Sequence, residues 1–224
     1  MRFEPLVCVI AAAAIMSPVQ AVTPRDLLTQ AAFQATDKRQ ALALVTQAVD
    51  QSQAILATRP NDHEGLLQNA MSIGYRATLT KKPADAKSSR KMFESLVASN
   101  PRDPEFQLAI GGWHLDCVAA GFLATTVLGC NKDLGLDGIG KAVSYGGNRA
   151  FFKGMAAMMR IRLDRDAVAA SLALAQAAAA APTPTALDRI AKHDAELMLV
   201  PLRAGDGKAA SALAKKLLPF GRLG

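Results

Sequence analysis

The chain has 224 residues, a formal net charge of +7 and a composition that is 50% hydrophobic but only 5% aromatic. The apolar fraction excludes an intrinsically disordered chain, which lacks enough apolar surface to form a core. Alanine supplies much of that fraction, which disfavours a β-sandwich or barrel, because strands are enriched in β-branched and aromatic residues. The few aromatic rings disfavour a nucleic-acid binder that stacks bases. The composition therefore predicts an all-α protein.

Residues 1–21 have the pattern of a cleavable signal peptide, with a positive charge before an apolar run over residues 6–16. Val19 and Ala21 stand at the two small-residue positions before a cleavage site, so we expect a mature domain over residues 22–224. The alternative is an uncleaved anchor, but the run is shorter than the ~20 residues of a spanning helix. No mature segment reaches that length either, and the sequence predicts a secreted, periplasmic protein without a transmembrane segment.

Turn and capping residues divide the mature chain into ten predicted helices. The first begins at residue 24, the next seven cover residues 37–58, 63–79, 83–99, 104–128, 133–145, 149–163 and 166–180, and two more begin near residue 184 and after residue 207. The helix over residues 104–128 is apolar almost all round and should be central. Short turns between consecutive helices predict antiparallel pairs. We expect a disordered tail after Pro219.

The mature chain keeps two cysteines, Cys117 and Cys130, and an oxidising compartment permits a disulfide. On one continuous helix their α-carbons would be about 20 Å apart, beyond the ~7 Å limit for a disulfide. A bridge would need the helix to break near Gly121 or Gly129. The sequence disfavours the bridge without deciding whether the two cysteines pair.

Small residues recur twelve positions before successive turns, followed by mostly apolar positions on the same helical stripe. A small residue lets two helices approach closely, and the proline or glycine of the turn then ends the helix. The repeat-defining residues are Ser89, Phe93, Pro101, Gly135, Ala170, Leu174 and Pro182.

This order of small, large apolar and turn residues resembles the second helix of the tetratricopeptide repeat. The turns are unevenly spaced, so the repeats are degenerate. The resemblance implies a tetratricopeptide-like solenoid of about five antiparallel helical hairpins.

A narrower resemblance lies in the segment from Gly111 through Trp113 and His114 to the Leu-Gly pair that ends at Gly129. It is similar to a variant found in the periplasmic T component of TRAP transporters and in regulators of microtubule dynamics. In those families a Gly-x-Trp motif begins a long helix. The resemblance covers about residues 60–147 and implies a binding or scaffolding role without catalytic residues.

Five residues are candidates for binding a ligand or partner: Trp113, His114, Phe152, Met155 and Met159. Each also has a structural explanation. The methionines recur at helical spacing, which is typical of a core stripe, and a lone tryptophan on an apolar helix is typical of a packed core. No histidine has a partner at metal-ligand spacing, so a buried structural histidine is favoured. The sequence predicts no metal site and no cofactor.

These features predict a non-catalytic scaffold or adaptor that binds a protein or peptide in a helical-repeat groove. The alternative is a carrier of a small apolar ligand or lipid that serves a transporter, with a pocket between the helices at residues 104–128 and 149–163. A pocket of ~300–1,000 Å³ there would favour the carrier. An enzyme or metal protein built on His114 and the cysteines is least favoured. A homo-oligomer stays open, and nucleic acid is not expected as a partner.

Overall fold

The computed structural model describes residues 21–223, so the signal-peptide prediction lies outside the described residues except at Ala21. The described part contains helices and no strand, which confirms the all-α prediction. Its eleven helices are α1 Pro24–Phe33, α2 Lys38–Thr58, α3 His63–Thr80, α4 Pro83–Ser99, α5 Pro104–Ala119, α6 Phe122–Leu128, α7 Lys132–Tyr145, α8 Ala150–Leu163, α9 Val168–Ala180, α10 Ala186–Arg203 and α11 Gly207–Leu217. Among these helices, none combines the length and apolar character needed to cross a membrane.

Side-chain caps fix where most helices begin. Thr23 and Thr185 form reciprocal capping boxes with the aspartate three residues later, at the starts of α1 and α10. Asp37, Asp62 and Asp103 accept backbone N–H groups at the starts of α2, α3 and α5. Each cap satisfies a donor that the helix cannot satisfy itself. Local chemistry therefore explains the boundaries that the sequence predicts well.

The helix predicted over residues 104–128 is instead two helices, α5 and α6. The chain breaks at Gly121, whose φ of 103° is rarely adopted by residues with a side chain, and α6 ends at Gly129 in the left-handed region. This reversal brings the α-carbons of Cys117 and Cys130 to 6.0 Å, and the two residues form a disulfide. The expectation of one long helix was wrong because both glycines interrupt it, and the cysteine pairing that the sequence left open is thereby decided.

Gly135 is a point of close helix approach, as predicted. A Cβ on Gly135 would overlap the side chain of Leu115, and a Cβ on Gly111 would lie 2.8 Å from the backbone nitrogen of Ile139. The glycines of α7 therefore let α5 and α7 pack backbone against backbone.

Ser89 and Phe93 are buried on α4, as the repeat pattern predicts. A Cβ on Gly74 would lie 2.8 Å from the Ser89 hydroxyl oxygen, so the small serine lets α3 and α4 approach closely. Pro101 follows the C-cap of α4 and lies exposed in the turn.

The repeat position assigned to Ala170 was wrong. Ala170 is exposed and Leu174 is half-buried, whereas Ser171 and Ala175 are completely buried. The face of α9 that packs inward is thus rotated by one residue from the predicted stripe, which an alanine-rich helix permits because most of its positions are small. Pro182 follows the C-cap and lies exposed beyond the helix end.

Helices close in sequence pack against each other, as α1 does with α2, α3 with α4, and α5 with α7 across the short α6. In addition, the first helices of these pairs contact one another in order along the chain. This inner layer consists of α1, α3, α5, α8 and α10. The largest core cluster surrounds α8, where Phe152, Met155, Met158 and Met159 are all buried, as expected of a core stripe.

The C-terminal residues return to the beginning of the array. The Phe220 N–H donates to the carbonyl of Ala32 at 2.9 Å, and the Phe220 ring meets Tyr75 edge-on with centroids 4.8 Å apart. The segment after Pro219 is therefore not a disordered tail as far as Leu223. It packs against α1 and α3.

Candidate ligand cavity

A cavity of about 710 Å³ lies against the inner layer, between α1, α3, α5, α6, α8 and the C-terminal segment. This volume is in the ~300–1,000 Å³ range of small-molecule sites. Most of its lining is apolar, and the large apolar side chains include Phe33, Met71, Trp113, Leu123, Phe151, Met155, Met159 and Phe220.

Three of the five candidate residues line this cavity: Trp113 on α5 and Met155 and Met159 on α8. His114 and Phe152 do not line it, because both side chains point into the packed protein and are 2% and 1% exposed. The helical spacing that identified a core stripe therefore also identified part of the cavity wall.

Trp113 is fixed from the side of α4. Its indole N–H donates to the carbonyl of Ala86 at 3.1 Å, and the Arg90 guanidinium lies 5.4 Å from the ring centroid. The same arginine donates to the carbonyls of Leu128 and Gly129 at 3.0 Å. Arg90 thus connects the tryptophan wall to the end of α6.

His114 and the two bridged cysteines have structural roles. The Nδ1 atom of His114 accepts the N–H of Asn131 at 3.2 Å, at the start of α7. Burial, and then the charge of Arg90, lowers the pKa of His114 and favours the neutral ring that this contact requires. Within residues 21–223, no three His, Cys, Asp or Glu side chains are grouped to hold a metal.

A small polar cluster interrupts the apolar wall. Arg162 on α8 donates to the Asp116 carboxylate on α5 at 2.5 Å, and Asp116 keeps 56% of its side-chain surface accessible. Although this carboxylate is accessible from the cavity, the protein atoms around it reduce its hydration and raise its pKa, and Arg162 opposes that rise. Burial and then the charge of Asp116 raise the pKa of the nearby Tyr75 hydroxyl, so it stays protonated. The cavity therefore offers a carboxylate, a guanidinium and a phenol among apolar groups.

Sequence reasoning did not find this cluster. Tyr75, Asp116 and Arg162 belong to three helices, and no spacing along the chain relates them. Polar residues on one helix face can be recognised by their spacing along the chain. These three residues come near one another only after α3, α5 and α8 pack together.

A series of ion pairs joins the starts of the inner helices, and two of its members, Arg25 and Glu105, line the cavity. Arg25 donates to Glu64 and to Glu105 at 2.6 Å, and Arg149 contacts Glu105 at 3.5 Å and Asp188 at 3.1 Å. These five residues lie in the first turn or at the N-cap of α3, α1, α5, α8 and α10. All inner helices therefore begin at the same end of the molecule.

Asp188 forms the last of these ion pairs, with Arg149, although its side chain is fully buried. Burial alone would raise its pKa, but hydrogen bonds from the Thr185 hydroxyl and the Phe151 N–H, together with Arg149, lower the pKa instead. The carboxylate is therefore held charged between α8 and α10.

The cavity opens to solvent between the end of α3 and α6. Lys81, Lys82, Leu123 and Val127 line it and are all exposed, so they mark its mouth. The polar cluster lies inside the cavity, and a molecule entering at this mouth would first meet the lysines and the apolar side chains of α6.

No protein-family model, curated protein or solved structure matches the chain. The interpretation of the cavity therefore depends on its own residues.

Proposed function

We propose that the protein is an exported, non-catalytic carrier that holds one small, mainly apolar molecule in the cavity. The observation that carries this proposal is the apolar space of about 710 Å³ bounded by Trp113 on α5 and Met155 and Met159 on α8. The sequence alone ranked an adaptor above a carrier. A cavity of this size between these two helices favours the carrier.

We also propose that the helices form a tetratricopeptide-like solenoid of about five hairpins, α1–α2, α3–α4, α5–α7, α8–α9 and α10–α11. Two features support it: the first helices of the pairs contact one another in order, and all of them begin at the same end. Such arrays bind on their concave side. Here the concave side corresponds to the cavity, and α6 is an insertion at its mouth.

The polar cluster indicates the kind of molecule that fits. Asp116 and Arg162 already neutralise each other, so a charged ligand group placed beside them would meet one like charge at close range. A neutral group that both donates and accepts hydrogen bonds can pair with Asp116 and Arg162 together, and Tyr75 adds a hydroxyl to the same cavity. The favoured ligand is therefore an apolar molecule with a hydroxyl or similar neutral group.

Trp113 is the only tryptophan of the chain and lines the cavity, so its fluorescence reports on occupancy. We expect a long-chain alcohol brominated on its tail to quench the emission and to saturate at one molecule per protein. Ala109→Phe, which adds a ring to the cavity wall, should weaken binding by about tenfold or more through steric overlap.

Ala119→Phe is the matched control, because Ala119 is exposed on the same helix and does not line the cavity. It should bind the brominated alcohol as the parent protein does. The carrier proposal is wrong if the parent protein shows no saturable quenching, or if Ala109→Phe and Ala119→Phe behave alike.

An adaptor that binds a protein or peptide is the second candidate, favoured by the open mouth at Lys81, Lys82 and Leu123. Native mass spectrometry of the mature protein, extracted gently from its source, separates the two. A small stoichiometric extra mass supports the carrier, whereas a second protein chain supports the adaptor.

A further inference from the structure

Helix α6 exposes its apolar side chains to water. Phe122 is 87% exposed, Leu123 76% and Val127 45%, and no residue of the helix is buried. Isolated apolar residues are normal on protein surfaces, but three on one short helix form a patch of the kind that marks an interaction site.

A disulfide and a pair of hydrogen bonds hold this helix at the surface. The disulfide between Cys117 and Cys130 joins the end of α5 to the start of α7 across α6. Arg90 of α4 donates to the carbonyls of Leu128 and Gly129 at the end of α6. The exposed patch is therefore a fixed feature of the fold.

Cations flank the patch. Lys81 and Lys82 are exposed and line the same cavity mouth as Leu123 and Val127, and neither lysine forms an ion pair in the described part of the chain. Apolar side chains that insert at the headgroup level, beside lysines that meet anionic lipid, are the usual elements of an interfacial membrane-binding surface. A second copy of the chain fits this surface less well than an anionic bilayer does. Its own lysines and its net charge of +7 would be repelled by Lys81 and Lys82.

We propose that α6, together with Lys81 and Lys82, docks on an anionic lipid bilayer. Phe122 and Leu123 enter the interface, and the lysines meet the lipid phosphates. This contact places the cavity mouth at the membrane surface. The inference stands apart from the carrier proposal, since Phe122 does not line the cavity and its exposure needs no ligand.

The test is sedimentation of the mature protein with vesicles of phosphatidylcholine, with and without phosphatidylglycerol. We expect binding to the vesicles that contain phosphatidylglycerol, weakened by added salt. Phe122→Asp should lower the partition coefficient by about tenfold or more, because it removes a large apolar side chain and adds a repelled charge. The variant should still bind the brominated alcohol.

Val200→Asp is the matched control. Val200 is 74% exposed on α10 and does not line the cavity or its mouth. It makes the same change of charge and should bind vesicles as the parent protein does. Lys81→Glu with Lys82→Glu should remove the preference for phosphatidylglycerol.

The proposal is overturned if the parent protein does not bind either vesicle, or if Val200→Asp loses as much binding as Phe122→Asp. It is also overturned if sedimentation without lipid shows that the parent protein self-associates and Phe122→Asp alone does not, because α6 would then contact a second copy.

Discussion

Glu105 is the residue that links the two halves of the series of ion pairs at the starts of the inner helices. Its carboxylate faces Arg25 of α1 at 2.6 Å and Arg149 at the start of α8 at 3.5 Å. Its side chain is 21% exposed, whereas that of Glu64 is 53% exposed and pairs with Arg25 alone. Because exposed pairs are screened by water and contribute little, the two glutamates differ in their effect on stability.

We therefore expect Glu105→Gln to lower the free energy of unfolding by about 1–2 kcal/mol, since it leaves two partly buried arginines without their shared partner. Glu64→Gln should cost less than about 0.5 kcal/mol. Urea denaturation at low and high salt measures both, and added salt should reduce the difference. An equal loss of unfolding free energy in the two variants would show that Glu105 contributes no more to stability than Glu64 does.

At the scale of residues, the sequence predicts those parts of the site whose residues lie on one helix. The spacing of Met155 and Met159 and the lone Trp113 made these residues candidates for ligand binding as well as for the core, and all three line the cavity. It does not predict Tyr75 or Arg162, whose meeting with Asp116 requires the packing of three helices. It assigned Ala170 one position away from Ser171, because alanines on all sides of α9 leave its rotation undetermined.

At the scale of elements, the division of one predicted helix into α5 and α6 has the largest consequence. An apolar run with single glycines is compatible with a continuous helix, since an interior glycine costs only about 1 kcal/mol. The break becomes evident only in the backbone at Gly121 and in the disulfide between Cys117 and Cys130. Caps such as Asp103 act locally, which is why the starts of most helices were predictable.

Replacing both cysteines by alanine should lower the free energy of unfolding by about 3 kcal/mol, the amount expected for releasing a closed loop of this length. The far-UV circular dichroism should change little, because α6 has no buried residue whose packing supports the core. Urea denaturation with and without reductant tests this. Reductant should destabilise the parent protein and leave the double variant unchanged, and an equal effect on both would contradict the prediction.

At the scale of the whole molecule, residues from both ends of the described chain line a second, smaller cavity. Asp194 of α10 is 3% exposed and lies at this cavity with Phe33 of α1 and with Arg222. Burial raises its pKa to about 6, although His193 and Arg222 favour the charged form. Because this exceeds the usual value of about 3.9 for the unfolded chain, the folded protein takes up a proton between these two pH values.

It follows that the charge of Asp194 destabilises the fold above about pH 6, and that this cost disappears below about pH 4. We expect Asp194→Asn to raise the free energy of unfolding by about 1–2 kcal/mol near pH 8 and to change it little near pH 4. Urea denaturation at the two pH values measures both. A gain of the same size at both would mean that packing, and not ionisation, causes the effect.

The sequence predicts the helical class and an array of short-turn pairs, because capping and helical periodicity are local properties. The contact between the C-terminal segment and the first helices was not predictable in the same way. It depends on Phe220 reaching Ala32 and Tyr75, which lie far away along the chain and share no pattern with it.

The return of the C-terminal segment makes the cavity depend on the last residues of the chain. Pro219 and Phe220 form part of the cavity wall, so a chain that is still being synthesised, or one shortened before Pro219, has no complete cavity. Under the proposal of an exported carrier, a chain that crosses the membrane unfolded and amino end first completes this wall last, on the far side of the membrane. The same proposal then requires the ligand to be taken up after export, because an unfolded chain has no cavity in which to carry it.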